Sequence, residues 1–246
     1  MKKFRADLHV HSVLSPCGDL DMSPTRIIRE AREKNIDILG ISDHNSTLHC
    51  RLMLELGKEA GIFVLPGVEI NTKEEIHCLA FFENADITDE FQKFLDMQLL
   101  FIPNRKEVFG EQLVVNRTES IIREIDGLLT VGLNTGIYIV LKEVKRLGGI
   151  FIPAHIDRPH NSIISQLGFI PPDLQFDALE ISARNSVMNF RKSHPEFENL
   201  TLITNSDAHH PDFIGRATTN FRIESPSFKE ILMALHNQLH RKTFIG

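Results

Sequence analysis

Asp7-Leu8-His9-Val10-His11-Ser12 closes a strand-like run that begins at Phe4. Side chains alternate along a strand, so His9 and His11 point to the same side, about 7 Å apart. Two imidazoles at that spacing can lean onto one metal ion or onto two neighbouring ones. An HxH alone is more often a packing feature, so the rest of the chain has to decide. Similar residues recur at later strand-like runs. His44 follows Ile36–Ser42, Glu69 lies within Ile62–Ile70, and His77 stands in Ile76–Phe82. His155 follows Gly149–Ala154, and Asp207 and His209 follow Thr201–Asn205. Ala178–Ser182 makes the seventh run. Glu69 sits in the otherwise apolar Gly67-Val68-Glu69-Ile70. A buried, unpaired carboxylate is costly, and a metal is a common remedy.

Helix-like stretches separate these runs. Ser23 and Pro24 read as N-cap and first turn of a helix to about Lys34. Asn45–Ala60 reads as helical and ends at Gly61. Further helical stretches fall at Ile137–Leu147, Ser162–Leu167, Asn185–Ser193 and Ser227–Leu239. Alternating strands and helices predict an α/β protein with a parallel sheet and outer helices. Seven core strands favour a closed or nearly closed barrel, whose strand C-termini converge on the face that holds the active site. Glu83–Arg146 breaks the rhythm, with a helical pattern at Thr88–Leu100 and a hairpin of Gln112–Asn116 with Ser120–Glu124. We read residues 1–246 as one domain, with about 83–146 inserted over one mouth of the barrel.

The net charge of −6 shows no bulk basic face, which disfavours long duplex nucleic acid but not a small anionic substrate. Cys17, Cys50 and Cys78 form neither a disulfide framework nor a CxxC pair, which points to a reducing compartment. Neither a signal peptide nor a membrane span is expected, so the chain reads as cytoplasmic. Arginines suit bidentate phosphate binding. Arg158, Arg184 and Arg216 each follow a core strand; Arg158 ranks first because it stands three residues past His155. The N-terminal N–H groups of the helix starting near Arg184 could add to an anion site. His49, His194, His236 and His240 lie on helical stretches and are expected to face solvent. His160 and His210 lie closer to the site but outside its motifs.

These motifs together resemble the PHP (polymerase and histidinol phosphatase) family. The matching residues are Asp7–Ser12, Ser42-Asp43-His44, Gly67–Ile70, His77, Pro153-Ala154-His155 and Ser206-Asp207-Ala208-His209, in the family's order. The resemblance implies a distorted (β/α)7 barrel with two or three divalent metals and phosphoester hydrolysis. It implies that one metal takes His9, His11, Glu69 and Asp207. A second shares Glu69 and takes His77 and His155, and a third takes His44 and His209. The family's first motif usually continues with an Asp or His for the third metal. Here the run is Ser15-Pro16-Cys17-Gly18-Asp19, so Cys17 stands closest to that position and Asp19 is the alternative. A thiolate would favour a softer metal such as zinc; the mixed imidazole and carboxylate set suits zinc, manganese or iron.

The expected chemistry follows from charge. Paired metals bind the oxygens of a phosphate dianion, lower the pKa of bound water and align in-line attack. Asp207 or His209 is expected to shuttle the proton to the leaving oxygen, and Asp43 either orients a ligand or handles a proton. The leading expectation is a phosphatase for a small, nucleotide-like phosphomonoester such as a nucleoside 3′,5′-bisphosphate. A phosphodiesterase or 5′→3′ exonuclease on short oligonucleotides is the near alternative, and a histidinol phosphatase another. A related amidohydrolase would want a carbamylated lysine bridge, a place that Glu69 fills. A metal-binding regulatory domain without catalysis is the reading from a different class.

Overall fold

The computed structural model describes residues 1–245. Its strands are β1 (Lys2–Val10), β2 (Ile38–Ile41), β3 (Phe63–Asn71), β4 (His77–Phe81), β5 (Leu113–Val115), β6 (Ile121–Glu124), β7 (Ile150–Pro153), β8 (Leu179–Ile181), β9 (Leu202–Thr204), β10 (Thr219–Ile223) and β11 (Lys242–Ile245). Its α-helices are α1 (Pro24–Glu33), α2 (Cys50–Ala60), α3 (Ala85–Gln98), α4 (Lys106–Phe109), α5 (Ile137–Arg146), α6 (Ile163–Leu167), α7 (Val187–Ser193) and α8 (Phe228–Leu235). Local chemistry explains several boundaries. Ser23 Oγ accepts from the Arg26 N–H ahead of Pro24, and Gly61 ends α2 at φ 75°.

One curved sheet runs β11-β10-β1-β2-β3-β4-β7, and β8 pairs with β9. Hydrogen bonds join the two and bring the barrel round. Asp177 N–H donates to Phe151 O and Ile156 N–H to Glu180 O, linking β7 to β8. His11 N–H donates to Ala208 O at 3.0 Å, linking the end of β9 to β1. The ring β1-β2-β3-β4-β7-β8-β9 is thus the distorted seven-stranded α/β barrel.

The alternation predicts a parallel sheet, and the structure departs from it. β4 runs antiparallel to both β3 and β7. The link from Asn71 to His77 is too short for a helical crossover, so the chain must turn back as a hairpin. β10 and β11, which the pattern reading did not assign, add an antiparallel edge beyond β1.

Period-two alternation places the core. Leu65 of β3, Leu79 and Phe81 of β4, and Ile150 and Ile152 of β7 share one apolar cluster. Val68 and Ile70, Cys78 and Ala80, and Phe151 join the cluster beneath α3 and α5. Glu69 continues the alternation of Leu65, and His77 that of Leu79, so both stand one layer above an apolar floor. Gly67 lies between Leu65 and Glu69 because Phe81 occupies its side-chain space: a Cβ there would stand 2.3 Å from the Phe81 ring. Gly67→Ala is expected to cost about 1–3 kcal/mol through overpacking, read as a lowered urea midpoint at unchanged slope.

The two ends of the 83–146 segment belong to the barrel wall. Phe91 and Leu95 of α3, and Val140 and Val144 of α5, pack into the main core. The part between them lies against the ends of β1, β2 and β3. Leu113 N–H donates to Val13 O, Asn45 Nδ2 to Leu129 O and Asn71 Nδ2 to Thr130 O. These strand ends carry or lead into His9, His11, His44 and Glu69.

Candidate metal centre

Strand ends deliver the polar layer. β1 supplies His9 and leads to His11, the loop after β2 supplies His44, and β3 and β4 supply Glu69 and His77. His155 follows β7, and Asp207 and His209 follow β9. His155 and Asp207 hold left-handed backbone, φ 29° and 51°, which a non-glycine residue adopts at a cost of about 1–3 kcal/mol. Such strain persists where surrounding structure demands one side-chain direction.

Glu69 is the hub. Its Oε1 lies 3.3 Å from His9 Nε2, 2.9 Å from His77 Nδ1 and 3.0 Å from His155 Nε2. Its Oε2 lies 3.4 Å from His11 Nε2 and 3.1 Å from His44 Nδ1. Asp207 Oδ1 stands 3.4 Å from both His9 Nε2 and His11 Nε2, and those two nitrogens are 3.1 Å apart. An ion about 2.0–2.1 Å from four tetrahedral ligands separates them by about 3.3–3.4 Å. The spacing of His9, His11, Glu69 and Asp207 therefore fits a divalent ion. His44 joins Glu69 and His77 in a second group, and His11, His44 and His209 form a third, each with ligand atoms within 4.8 Å of one another. The buried nitrogens His44 Nδ1 and His155 Nδ1 make no hydrogen bond. His44 Nδ1, close to the Glu69 carboxylate yet without a hydrogen bond, fits metal binding; on His155 the nitrogen that faces Glu69 is Nε2.

The electrostatics agree. Burial disfavours charge on His9, but Glu180, Asp207 and Glu69 outweigh it and hold the imidazole protonated well above its usual range. Burial likewise opposes charge on Glu69, and His77, His9 and His44 outweigh it and hold the carboxyl well below its usual range. Burial and the nearby His11 push His209 down to about 4. A metal ligand must be deprotonated. An ion entering beside His9 therefore displaces its proton, so loading is expected to release a proton and to tighten as pH rises. Calorimetric titration in two buffers of different ionisation heat measures that release directly.

The sequence reading missed Glu180. Leu179-Glu180-Ile181 carried the same signal as Glu69, a carboxylate inside an apolar strand. Its two oxygens lie 3.1 and 3.0 Å from His9 Nδ1, and it accepts from the His155 N–H and from Asn205 Nδ2. It thereby turns His9 Nε2 toward Glu69 and Asp207. Glu180→Ala is expected to weaken metal binding about 10–100-fold, and Glu180→Gln less, because glutamine keeps one acceptor. Competition with a chromophoric chelator measures both.

Other expected site residues sit elsewhere. Asp43 does not face the ligand cluster: its carboxylate accepts from Ser12 N, Ser12 Oγ and Ser15 Oγ at 2.7–2.8 Å. Those bonds shape the turn behind His11, since Ser15 Oγ also accepts from His11 Nδ1 at 3.1 Å. Cys17 and Asp19 are exposed and belong to none of the three groups among the described residues. The Cys17 thiol nevertheless lies toward the centre, where burial and the nearby Glu69 and Asp207 push it up. Arg158 reaches the cluster and donates through Nη2 to Asp207 Oδ2. Arg216 is exposed and stacks on Phe213, 4.8 Å from the ring centroid. Arg184 is exposed and makes no ion pair among the described residues. His49 does not face solvent but is buried. α2 begins at Cys50 rather than near Asn45, so His49 precedes the helix and turns inward. His236 is exposed as expected and lies 2.8 Å from Asp177 Oδ1.

A family model described as PHP-associated matches residues 198–238, the stretch that carries Asp207 and His209. The matched stretch is about a sixth of the chain. The chain is 31% identical over 233 residues to the protein YqxK of Bacillus subtilis, covering 88% of this chain and 57% of YqxK. It superposes on the lesion-specific endonuclease PfuEndoQ from Pyrococcus furiosus with a TM-score of 0.74 at 19% identity, covering 98% of this chain and 58% of that one. Endonuclease Q in complex with a 27-mer duplex carrying an abasic lesion at its active site matches with a TM-score of 0.73. A structure assigned as a metal-dependent phosphoesterase from Bifidobacterium adolescentis matches with a TM-score of 0.53 at 18% identity, covering 83% and 87%. At these identities the structural matches show the barrel fold. The chain spans less than three fifths of YqxK and of PfuEndoQ.

Proposed function

We propose that this chain is a PHP-family, metal-dependent phosphoesterase acting on a phosphate ester of a nucleotide. The observation that carries the reading is Glu69, one buried carboxylate with five imidazoles within 3.4 Å. Packing has no use for such an arrangement, and divalent metals do. Zinc, manganese and iron all suit the donor set, held by His9, His11, Glu69 and Asp207, by Glu69, His77 and His155, and by His44 and His209. Ions bound there would neutralise the phosphate and activate water for in-line attack.

The chain's own residues supply the rest. Arg158, part-exposed beside Asp207, offers its guanidinium to a phosphate oxygen. His209 donates Nδ1–H to the Asp207 carbonyl oxygen at 3.0 Å, which leaves the Nε2 lone pair to bind a metal or take a proton. Asp207 or His209 returns the proton to the leaving oxygen. Of the three candidate arginines only Arg158 reaches the centre, which suits a small phosphomonoester such as a nucleoside 3′,5′-bisphosphate.

A second reading, cleavage of a phosphodiester in DNA, draws support from the match to endonuclease Q over nearly the whole chain. The net charge of −6 argues only weakly against it, since positive charge is needed only along the strand's path. Metal content of the purified protein, paired with product release from adenosine 3′,5′-bisphosphate, histidinol phosphate, a dinucleotide and an abasic duplex, with and without Mn²⁺, separates the readings. Two or three metals with turnover of the bisphosphate supports the first, and duplex cleavage alone supports the second. Full metal occupancy without turnover of any of them overturns both. Among the described residues no helix is long and apolar enough to cross a membrane.

A further inference from the structure

We infer that His49 is a positioning residue of the metal centre and couples the β5–β6 hairpin to the ligand His11. The argument is a count of protons along one buried chain of hydrogen bonds. The Val115 N–H of β5 donates to His49 Nε2 at 3.0 Å, so that nitrogen carries no proton and Nδ1 carries one. His49 Nδ1–H points at Ser12 Oγ, 2.6 Å away. Ser12 donates its single hydroxyl proton to Asp43 Oδ2 at 2.7 Å, and Ser15 donates its own to Asp43 Oδ1 at 2.8 Å. Each hydroxyl must therefore accept from its imidazole. Ser15 Oγ accepts from His11 Nδ1–H at 3.1 Å and from the His44 N–H at 3.1 Å. His11 is left with a bare Nε2, the atom that faces Glu69 and Asp207.

Val115 and His11 are thus the two ends of one relay, with Asp43 as the shared acceptor at its middle. The relay is dry: His11, Ser12, Ser15, Asp43 and His49 are each at most 1% exposed. An apolar contact runs beside it, since Leu14 of the first-motif turn packs with Val114 of β5 and Leu129. Coupling between two sites is reciprocal. If the hairpin holds His11 in its metal-binding tautomer and direction, a metal on His11 must in turn steady the hairpin. The inference rests on the metal-centre reading and not on any particular hydrolytic activity.

Hydrogen exchange on the full chain, with and without Zn²⁺, tests it alongside a Zn²⁺ titration. In the wild-type protein Zn²⁺ is expected to slow exchange of the Val115 amide about 10-fold or more. His49→Ala is expected to lower metal affinity about 10–100-fold, the usual effect of losing a group behind a ligand. His49→Asn places an amide nitrogen near the Nδ1 position and keeps the donor to Ser12 but not the acceptor for Val115. It should restore affinity while Zn²⁺ no longer slows Val115 exchange. Should His49→Ala fail to fold, His49→Asn carries the test alone. Wild-type protein that binds Zn²⁺ with no change at Val115, or His49→Asn that keeps the full change, overturns the inference. Wild-type protein that binds no metal overturns the metal-centre reading itself.

Discussion

Glu69→Gln is expected to strip the centre of its metals and lower phosphoester hydrolysis at least about 10³-fold, or about 4 kcal/mol of barrier. Glutamine keeps the volume of Glu69, so the apolar floor of Leu65, Leu79 and Phe81 stays packed. It removes the negative charge and turns one acceptor into a donor. That donor would face His9, His77 and His155 or His11 and His44, whose nearest nitrogens all lie within 3.4 Å of the carboxylate. Glu69 faces five of the imidazoles, whereas Asp207→Asn alters the contacts to His9, His11, His209 and Arg158. Metal analysis and single-turnover rates on the same preparation, with circular dichroism as the folding control, give the comparison. A folded Glu69→Gln protein that retains its metals and a tenth of the wild-type rate would remove Glu69 from the hub.

Removing the metals with a chelator is expected to lower the melting temperature by roughly 8–16 °C. An ion present at about 1,000 times its dissociation constant stabilises the fold by about 4 kcal/mol, and a chain of this size shifts by about 2–4 °C per kcal/mol. The chelated protein retains charges in a buried pocket, with His9 and His11 fully enclosed and Glu69 nearly so. Scanning calorimetry with chelator, then with Zn²⁺ or Mn²⁺ restored, reads the effect. A shift under about 2 °C that metal does not reverse would contradict a centre built around bound ions.

Most of the candidate centre was visible in the chain because its signal is local. His9 and His11 are two residues apart, and Asp207 and His209 repeat that spacing; a strand turns such spacing into a shared direction without help from distant residues. Glu69 stood out because a carboxylate in Val68-Glu69-Ile70 needs a partner wherever the strand lies. The barrel was legible for the same reason, since alternating strand and helix patterns are properties of short windows.

What the pattern could not contain was pairing across the fold. β4 runs backward because of the short turn before His77, although its apolar run reads like a parallel strand. His49 has the setting of an exposed residue ahead of an amphipathic helix, and becomes buried only because Val115, 66 positions later, folds back onto it. Arg158, Arg184 and Arg216 look alike in sequence; loop geometry sends one to Asp207 and leaves two outside.

By itself the sequence determined which side chains could bind metal and that strand ends would gather them, because alternation and strand direction are set by neighbours a few residues away. Tertiary structure alone decided the order of that gathering. It placed Glu180 behind His9 across 171 positions, turned Asp43 away from the ligand cluster toward Ser12 and Ser15, and set the inserted hairpin against His49. Those contacts depend on how distant segments pack, and hydrogen bonds between distant segments leave no period in the chain.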